Sequence, residues 1–198
     1  MKNAKKVLSL LLCAVLLVGA TIAGTLAYLT DDATVTNTFT VGQVTIDLTE
    51  APVGTDGQET TGDRVTANSY KLYPGKEYDK DPTVFVDDTS ENCYIYVTVD
   101  NGIAAIETNE TGKTIAEQMA ANGWKQIGET GVYTDDVIHK AGDDKVVFEH
   151  FTIAGGVTSV QNYANATIVV KAYAIQAEGF ANAKAAWDAA KGELGFTA

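Results

Sequence analysis

The chain has 198 residues and a formal net charge of −12, with 26 acidic residues against 14 basic ones. That length allows one domain, or at most two, with a sizeable core, and that charge repels nucleic acid and anionic lipid, so no nucleic-acid partner is expected. Of the 2 cysteines, Cys13 falls in an apolar N-terminal stretch and leaves Cys93 alone, so neither a disulfide scaffold nor a cysteine-rich zinc site can be built.

Met1 to Lys6 carries Lys2, Lys5 and Lys6, and Val7 to Val18 is an apolar run interrupted only by Ser9. Thr25-Leu26-Ala27 then offers small residues at the third and first positions before a cut, the pattern a signal peptidase reads. Residues 1–27 are therefore expected to be a signal peptide, cleaved between Ala27 and Tyr28. The competing reading is a membrane anchor, because no charge occurs from Val7 to Thr30. Gly19, Thr21, Gly24 and Thr25 weaken that reading, and Asp31-Asp32 follows where a basic stop-transfer cluster would stand.

After the cut, Ala33, Val35, Phe39 and Val41 are apolar on odd positions among threonines, which predicts a strand with one apolar face. Past Gly42-Gln43 the parity flips: Val44, Ile46 and Leu48 are apolar on even positions, so a bulge or turn must reset the inward face. Either Thr34 to Leu48 is the first strand or hairpin of its own domain, with Tyr28 to Ala33 as a frayed end, or residues 28–41 are a free segment that pairs with another sheet edge, with Val35, Phe39 and Val41 filling pockets.

Glu50 to Asn68 reads as a long polar loop, with Arg64 as the sole arginine, expected to be solvated or paired with a carboxylate. Ser69 to Tyr73 is predicted as a short strand entering a Pro74-Gly75 turn. Thr83 to Val86 and Tyr94 to Val99 are the best strands, joined by the acidic turn Asp87 to Asn92. Ile95, Val97 and Val99 should face the core, Cys93 should be a buried strand residue, and Tyr94, Tyr96 and Thr98 should face outward or into a second contact.

Thr114 and Glu117 have capping-box spacing, Ile115 and Met119 lie one turn apart, and Asn122-Gly123 can end the run, which predicts a short helix with Trp124 as its apolar anchor. Two further strands are expected at Gly131 to Thr134 and Lys145 to Ile153, around a polar loop from Asp135 to Asp144. Ala166 to Gln176 is apolar on both faces, which predicts a central strand. Residues 180–191 read as a helix that docks on the domain through Phe180 and Trp187 and closes at Gly192.

Chemistry is sparse. A zinc protease of the common kind needs two histidines one helical turn apart around a glutamate, and this chain has only His139 and His150. Ser69, Ser90 and Ser159 lack a nucleophile-elbow context, and no glycine-rich phosphate loop occurs. The pairs Asp31-Asp32, Asp87-Asp88, Asp135-Asp136 and Asp143-Asp144, with Asp79 and Asp81, could hold calcium, but none has EF-hand spacing. No catalytic residue, metal ligand or cofactor is assigned.

Three stretches carry a resemblance: Gly24-Thr25-Leu26-Ala27-Tyr28-Leu29-Thr30-Asp31 with the strand segments through Leu48, Leu72-Tyr73-Pro74-Gly75-Lys76 through Val84, and Ala166 to Ala177. Together they resemble the TasA and camelysin family of Gram-positive bacteria. The resemblance implies a secreted protein processed by a signal peptidase of the SipW type. It also implies a two-sheet, jelly-roll-like domain, so residues 28–198 are expected to form one all-β sandwich of that kind, carrying the short inserted helix and the C-terminal helix read from the residues above. It further implies a structural role in an extracellular biofilm matrix or cell-surface fibre, partnered by itself and by other matrix or cell-wall components. Strand donation after cleavage would drive assembly. A monomeric secreted binding module and a camelysin-like metallopeptidase are the alternatives.

Overall fold

The computed structural model describes Lys6 and residues 11–13, 42–128 and 130–196. The chain divides into two units, Met1–Thr40 and Val41–Ala198. In the first, Lys6 and Leu11 to Cys13 are helical and exposed. The expected cleavage residues Ala27 and Tyr28, and the expected assembly residues Val35, Phe39 and Val41, lie outside the described residues. Among those that are described, no helix is long and apolar enough to cross a membrane.

The second unit is mainly β, and every named strand pairing is antiparallel. In chain order it runs β1 (Ile46–Thr49), β2 (Glu77–Asp79), β3 (Thr83–Val86), β4 (Cys93–Asn101), α1 (Ile115–Ala121), β5 (Lys125–Gln126), β6 (Val132–His139), β7 (Asp144–Val146), β8 (His150–Thr152), a 3₁₀ turn (Gln161–Tyr163), β9 (Ile168–Gln176) and α2 (Ala183–Ala190). One sheet has the order β1-β3-β7, another β5-β6-β4-β9, and β2 pairs with β8. Val84 and Val86 of β3, Ile95 and Val97 of β4, and Phe151 of β8 all bury into one apolar cluster. Ile46 and Leu48 of β1 and Val170, Ala172 and Ala174 of β9 pack against it.

β4 is the centre, because both its faces are apolar and both its edges are paired. Its partnership with β9 runs unbroken from Cys93↔Gln176 to Asn101↔Ile168. Against β6 the register slips between Tyr94 and Tyr96, where Asp136 takes a positive φ of 59°. The slip is a bulge, and it bends β6 so that Asp135 to His139 continue as strand. The loop expected from Asp135 to Asp144 is therefore strand as far as His139, since a bulge absorbs the polar pair without ending the ladder.

Four further expectations are corrected. Ser69 to Tyr73 is not a strand. Its backbone is satisfied by a side chain instead: the Tyr78 hydroxyl accepts from the Tyr73 N–H and donates to the Lys71 carbonyl, each at 2.7 Å. Of the two placements expected for Tyr94 and Tyr96, the outward one is wrong: they are 4% and 0% exposed under α2, which supplies the second contact. Lys145 to Ile153 is not one strand but β7 and β8, which pair with different neighbours. The corner between them is built by Gln118 of α1, whose Oε1 accepts from the N–H groups of Glu149 and His150, at 3.1 Å each.

The fourth correction is β9, which is the outer strand of its sheet rather than a central one. Its second face is apolar because α2 covers it: Tyr173 and Ile175 belong to the cluster around Trp187. α2 itself begins three residues later than expected, at Ala183, because Asn182 caps it by accepting from the Ala185 N–H at 2.9 Å. Phe180 precedes the cap, and Phe180 and Trp187 dock on the domain as expected. The Thr114 to Glu117 capping box forms as the sequence predicts, and Trp124 is buried with its indole N–H on the Val146 carbonyl at 2.9 Å.

Candidate functional site

A groove of about 1000 Å³ opens on the second unit. One wall is β1 and the segment Val65 to Leu72, and the other is β9 with the approach to it from Val160 to Thr167. β1 and β9 are each the outermost strand of their sheets, so the groove lies between two edges that no described strand pairs. Leu48, Tyr70, Phe151, Tyr163, Ile168 and Val170 give it an apolar floor. Open edges template the addition of another strand, and Val169, 38% exposed, with Lys171 beside it, faces out from β9.

Aromatic packing holds the first wall. Tyr78 stacks on Phe151 at 4.9 Å and 13°, and Tyr70 meets both edge-on, at 5.9 Å and 5.0 Å. The Tyr70 hydroxyl donates to the Asp79 carbonyl at 2.9 Å, and burial pushes its pKa far up, with the Glu50 charge adding to the effect. Gly57 closes the back of this cluster with φ +72°, and a Cβ there would stand 2.4 Å from the Tyr78 ring. Tyr73, Pro74, Gly75 and Lys76 form the expected turn, with Gly75 at φ +76° and Lys76 N–H on the Tyr73 carbonyl at 3.3 Å.

The polar loop from Glu50 to Asn68 is tied to the domain at both ends. Glu50 and Val65 exchange two backbone hydrogen bonds, each 2.8 Å. Arg64 pairs with Asp81 at 2.8 Å and also donates to the Thr49 and Asp81 carbonyls, as the carboxylate-paired reading expects. Behind Arg64 a smaller cleft gathers Glu59, Asp79, Asp81, Glu149 and His150. Both aspartates are engaged: Asp79 accepts from the Glu59 N–H at 2.7 Å, and Asp81 from Ala51 N–H and Arg64. Among the described residues no three His, Cys, Asp or Glu side chains are placed to share a metal ion.

The two histidines fall on different sheets. His150 on β8 lies 3.8 Å from Glu77. His139, which the sequence places in a loop, ends β6 and is buried, its Nε2 3.2 Å from both Asp135 oxygens. Lys145 completes the group at 3.1 Å from Asp135, and the Val137 N–H donates at 3.2 Å. Burial by itself would push the Asp135 carboxyl up, but hydrogen bonds from His139 and Lys145 outweigh it and hold it below the ordinary aspartate value. Cys93 sits opposite His139 in register, fully buried, its thiol pushed up to about 11 by burial and by the Asp143 charge. That is an unreactive structural thiol at neutral pH.

The Asp135 arrangement makes a pH prediction. A carboxyl whose folded pKa is depressed contributes stability that is fully present above its unfolded value, about 3.9, and that is lost as pH falls through the folded value. Asp135→Asn should therefore be markedly less stable than the natural protein at pH 7, with the gap narrowing below about pH 4. Urea midpoints at stepped pH check this, and a gap that stays constant down to acid pH would contradict it.

The residues expected to act in assembly, Val35, Phe39 and Val41, lie outside the described residues, and the groove was not among the sequence expectations. Sequence reasoning missed it, because its walls come from segments some 100 residues apart in the chain. Comparison with protein-family models, with curated proteins and with solved structures finds no match for this chain.

Proposed function

We propose that this protein is a secreted structural subunit of an extracellular matrix or cell-surface fibre, built as a two-sheet, jelly-roll-like sandwich. Cleavage between Ala27 and Tyr28 by a signal peptidase of the SipW type frees residues 28–41. That segment then adds as a strand to the groove of a second copy, along the open edge of β9.

The groove between two strand edges is the observation that carries this reading. Length supports it: β9 spans 9 residues, and Ala33 to Val41 is a Thr-rich run of matching length without proline. At roughly 3.3 Å per residue such a run covers the whole edge. Main-chain hydrogen bonds would supply affinity, and Val35, Phe39 and Val41 would fill the apolar floor. Before cleavage the same segment is tethered to the membrane, so processing switches assembly on.

A monomeric binding module is the second reading, and one observation favours it. About 1000 Å³ is at the upper end of small-ligand pockets, and the groove is lined by apolar and aromatic side chains.

Negative-stain electron microscopy separates the two. The chain beginning at Tyr28 is expected to form filaments, while one with extra residues ahead of Tyr28 and one beginning at Thr40 stay dispersed. If all three remain dispersed and folded across concentration and pH, strand donation by this segment is wrong and the binding module stands.

A further inference from the structure

One end of the groove brings an amine, a carboxamide and a carboxyl group together. Lys80 Nζ donates to Glu50 Oε2, and their side chains are only 10% and 6% exposed. The other oxygen of the same carboxylate, Oε1, accepts from Asn68 Nδ2 at 3.0 Å. Asn68 gives its second amide hydrogen to the Ala51 carbonyl at 2.8 Å, and its Oδ1 accepts from the Val53 N–H at 3.0 Å. These backbone partners, one acceptor and one donor, fix which end of the amide is oxygen.

Each position matches a role in acyl transfer. The amine is a nucleophile once deprotonated, the carboxylate bridges nucleophile and leaving group, and a backbone N–H already points at the carbonyl oxygen. The first step is a proton transfer along an existing hydrogen bond, from Lys80 Nζ to Glu50 Oε2.

We propose that Lys80 and Asn68 join in an intramolecular isopeptide bond, with Glu50 as the proton carrier. Nζ attacks Cγ, the Nζ–Cγ bond forms, and negative charge develops on Oδ1 against the Val53 N–H. Glu50 delivers the Lys80 proton through Oε1 to Nδ2, the Cγ–Nδ2 bond breaks, and the carbonyl is restored. The further proton shed by Nζ follows through the same carboxylate, so nitrogen leaves as ammonium and Glu50 returns to its ionised form. No oxidant and no co-reactant is consumed.

The bond would close the segment from Asn68 to Lys80 into a covalent loop. That segment carries Tyr70, Leu72, the Pro74-Gly75 turn and Tyr78, and so the wall of the groove that has no strand partners. Cys93 has no cysteine partner in the chain outside the N-terminal apolar run, so no disulfide could do this. The inference does not rest on assembly, because a monomer would carry the same bond.

Tryptic peptide mapping of the purified full chain tests it. An acylated Lys80 is not a trypsin site, so the peptide Val65 to Lys71 should appear joined to the peptide that begins at Glu77 and runs past Lys80. Its mass should be short of the sum by one ammonia. Lys80→Arg and Glu50→Gln, checked for fold by circular dichroism, should release Val65 to Lys71 as a separate, unmodified peptide. Cleavage after Lys80 in the natural protein, with Val65 to Lys71 free, overturns the proposal whatever the variants do. Ammonia loss confined to the free Val65 to Lys71 peptide also overturns it, because that is a succinimide at Asn68-Ser69.

Discussion

Trp187→Ala is expected to destabilise the domain by about 3–5 kcal/mol, the range for removing a large buried aromatic. The indole is 1% exposed and packs between Tyr96 at 5.1 Å, Phe196 at 4.8 Å and Tyr173 at 6.5 Å. It is the residue that holds α2 on the sheet, assisted by the Tyr96 hydroxyl donating to the Ala183 carbonyl and by Ala183 N–H donating to Asp136, at 2.8 Å and 3.0 Å. Without it, the outer faces of β4 and β9 lose their cover, and Tyr94, Tyr96 and Ile175 meet water. The expected result is a large fall in the urea midpoint, together with binding of a hydrophobic dye. Trp187→Phe should cost clearly less. Among the described residues the Trp187 Nε1 hydrogen is the one buried side-chain polar atom without a partner, so phenylalanine removes its desolvation cost along with its volume. A midpoint unchanged by the alanine substitution would mean that α2 does not dock as described.

Tyr78→Phe is expected to cost about 1–3 kcal/mol, because one hydroxyl serves two backbone groups, the Tyr73 N–H and the Lys71 carbonyl. The ring and its stacking on Phe151 are kept, so the loss falls on the segment from Ser69 to Tyr73. That segment has no strand to hold it, and its position depends on this hydroxyl and on Tyr70. Amide exchange at Tyr73 should rise far more than exchange in β4. If residues 28–41 of a second copy enter the groove, filament formation should weaken in step. Uniform loss of protection across the domain would contradict the assigned role. Tyr78→Ala adds the loss of the stacked ring, and about 3–5 kcal/mol in total is expected.

These variants show why some elements were legible and others not. The α1 cap was readable because Thr114 and Glu117 act on each other's backbone within one turn. β3 and β4 were readable because β-branched and aromatic residues there alternate over a run long enough to decide. The Pro74-Gly75 turn was readable because two residues set its dihedral angles. Ser69 to Tyr73 misled because its alternation is real, with Tyr70 and Leu72 turned inward, yet its hydrogen bonds go to a tyrosine hydroxyl. β9 misled for a related reason. Apolar residues on both faces report that both faces are covered, but not whether strands or a helix cover them.

The chain by itself determined the mainly-β class, the positions of α1 and α2, the turn at Pro74-Gly75 and the lack of any disulfide framework, because each depends on residues within a few positions of one another. Only the tertiary structure decided which strands are edges, that Gln118 builds the corner between β7 and β8, that His139 and Lys145 converge on Asp135, and that Glu50, Asn68 and Lys80 meet. Those outcomes depend on closing loops of tens of residues, and which distant partner a segment finds is set by the packing of the whole core, not by the pattern of the segment itself.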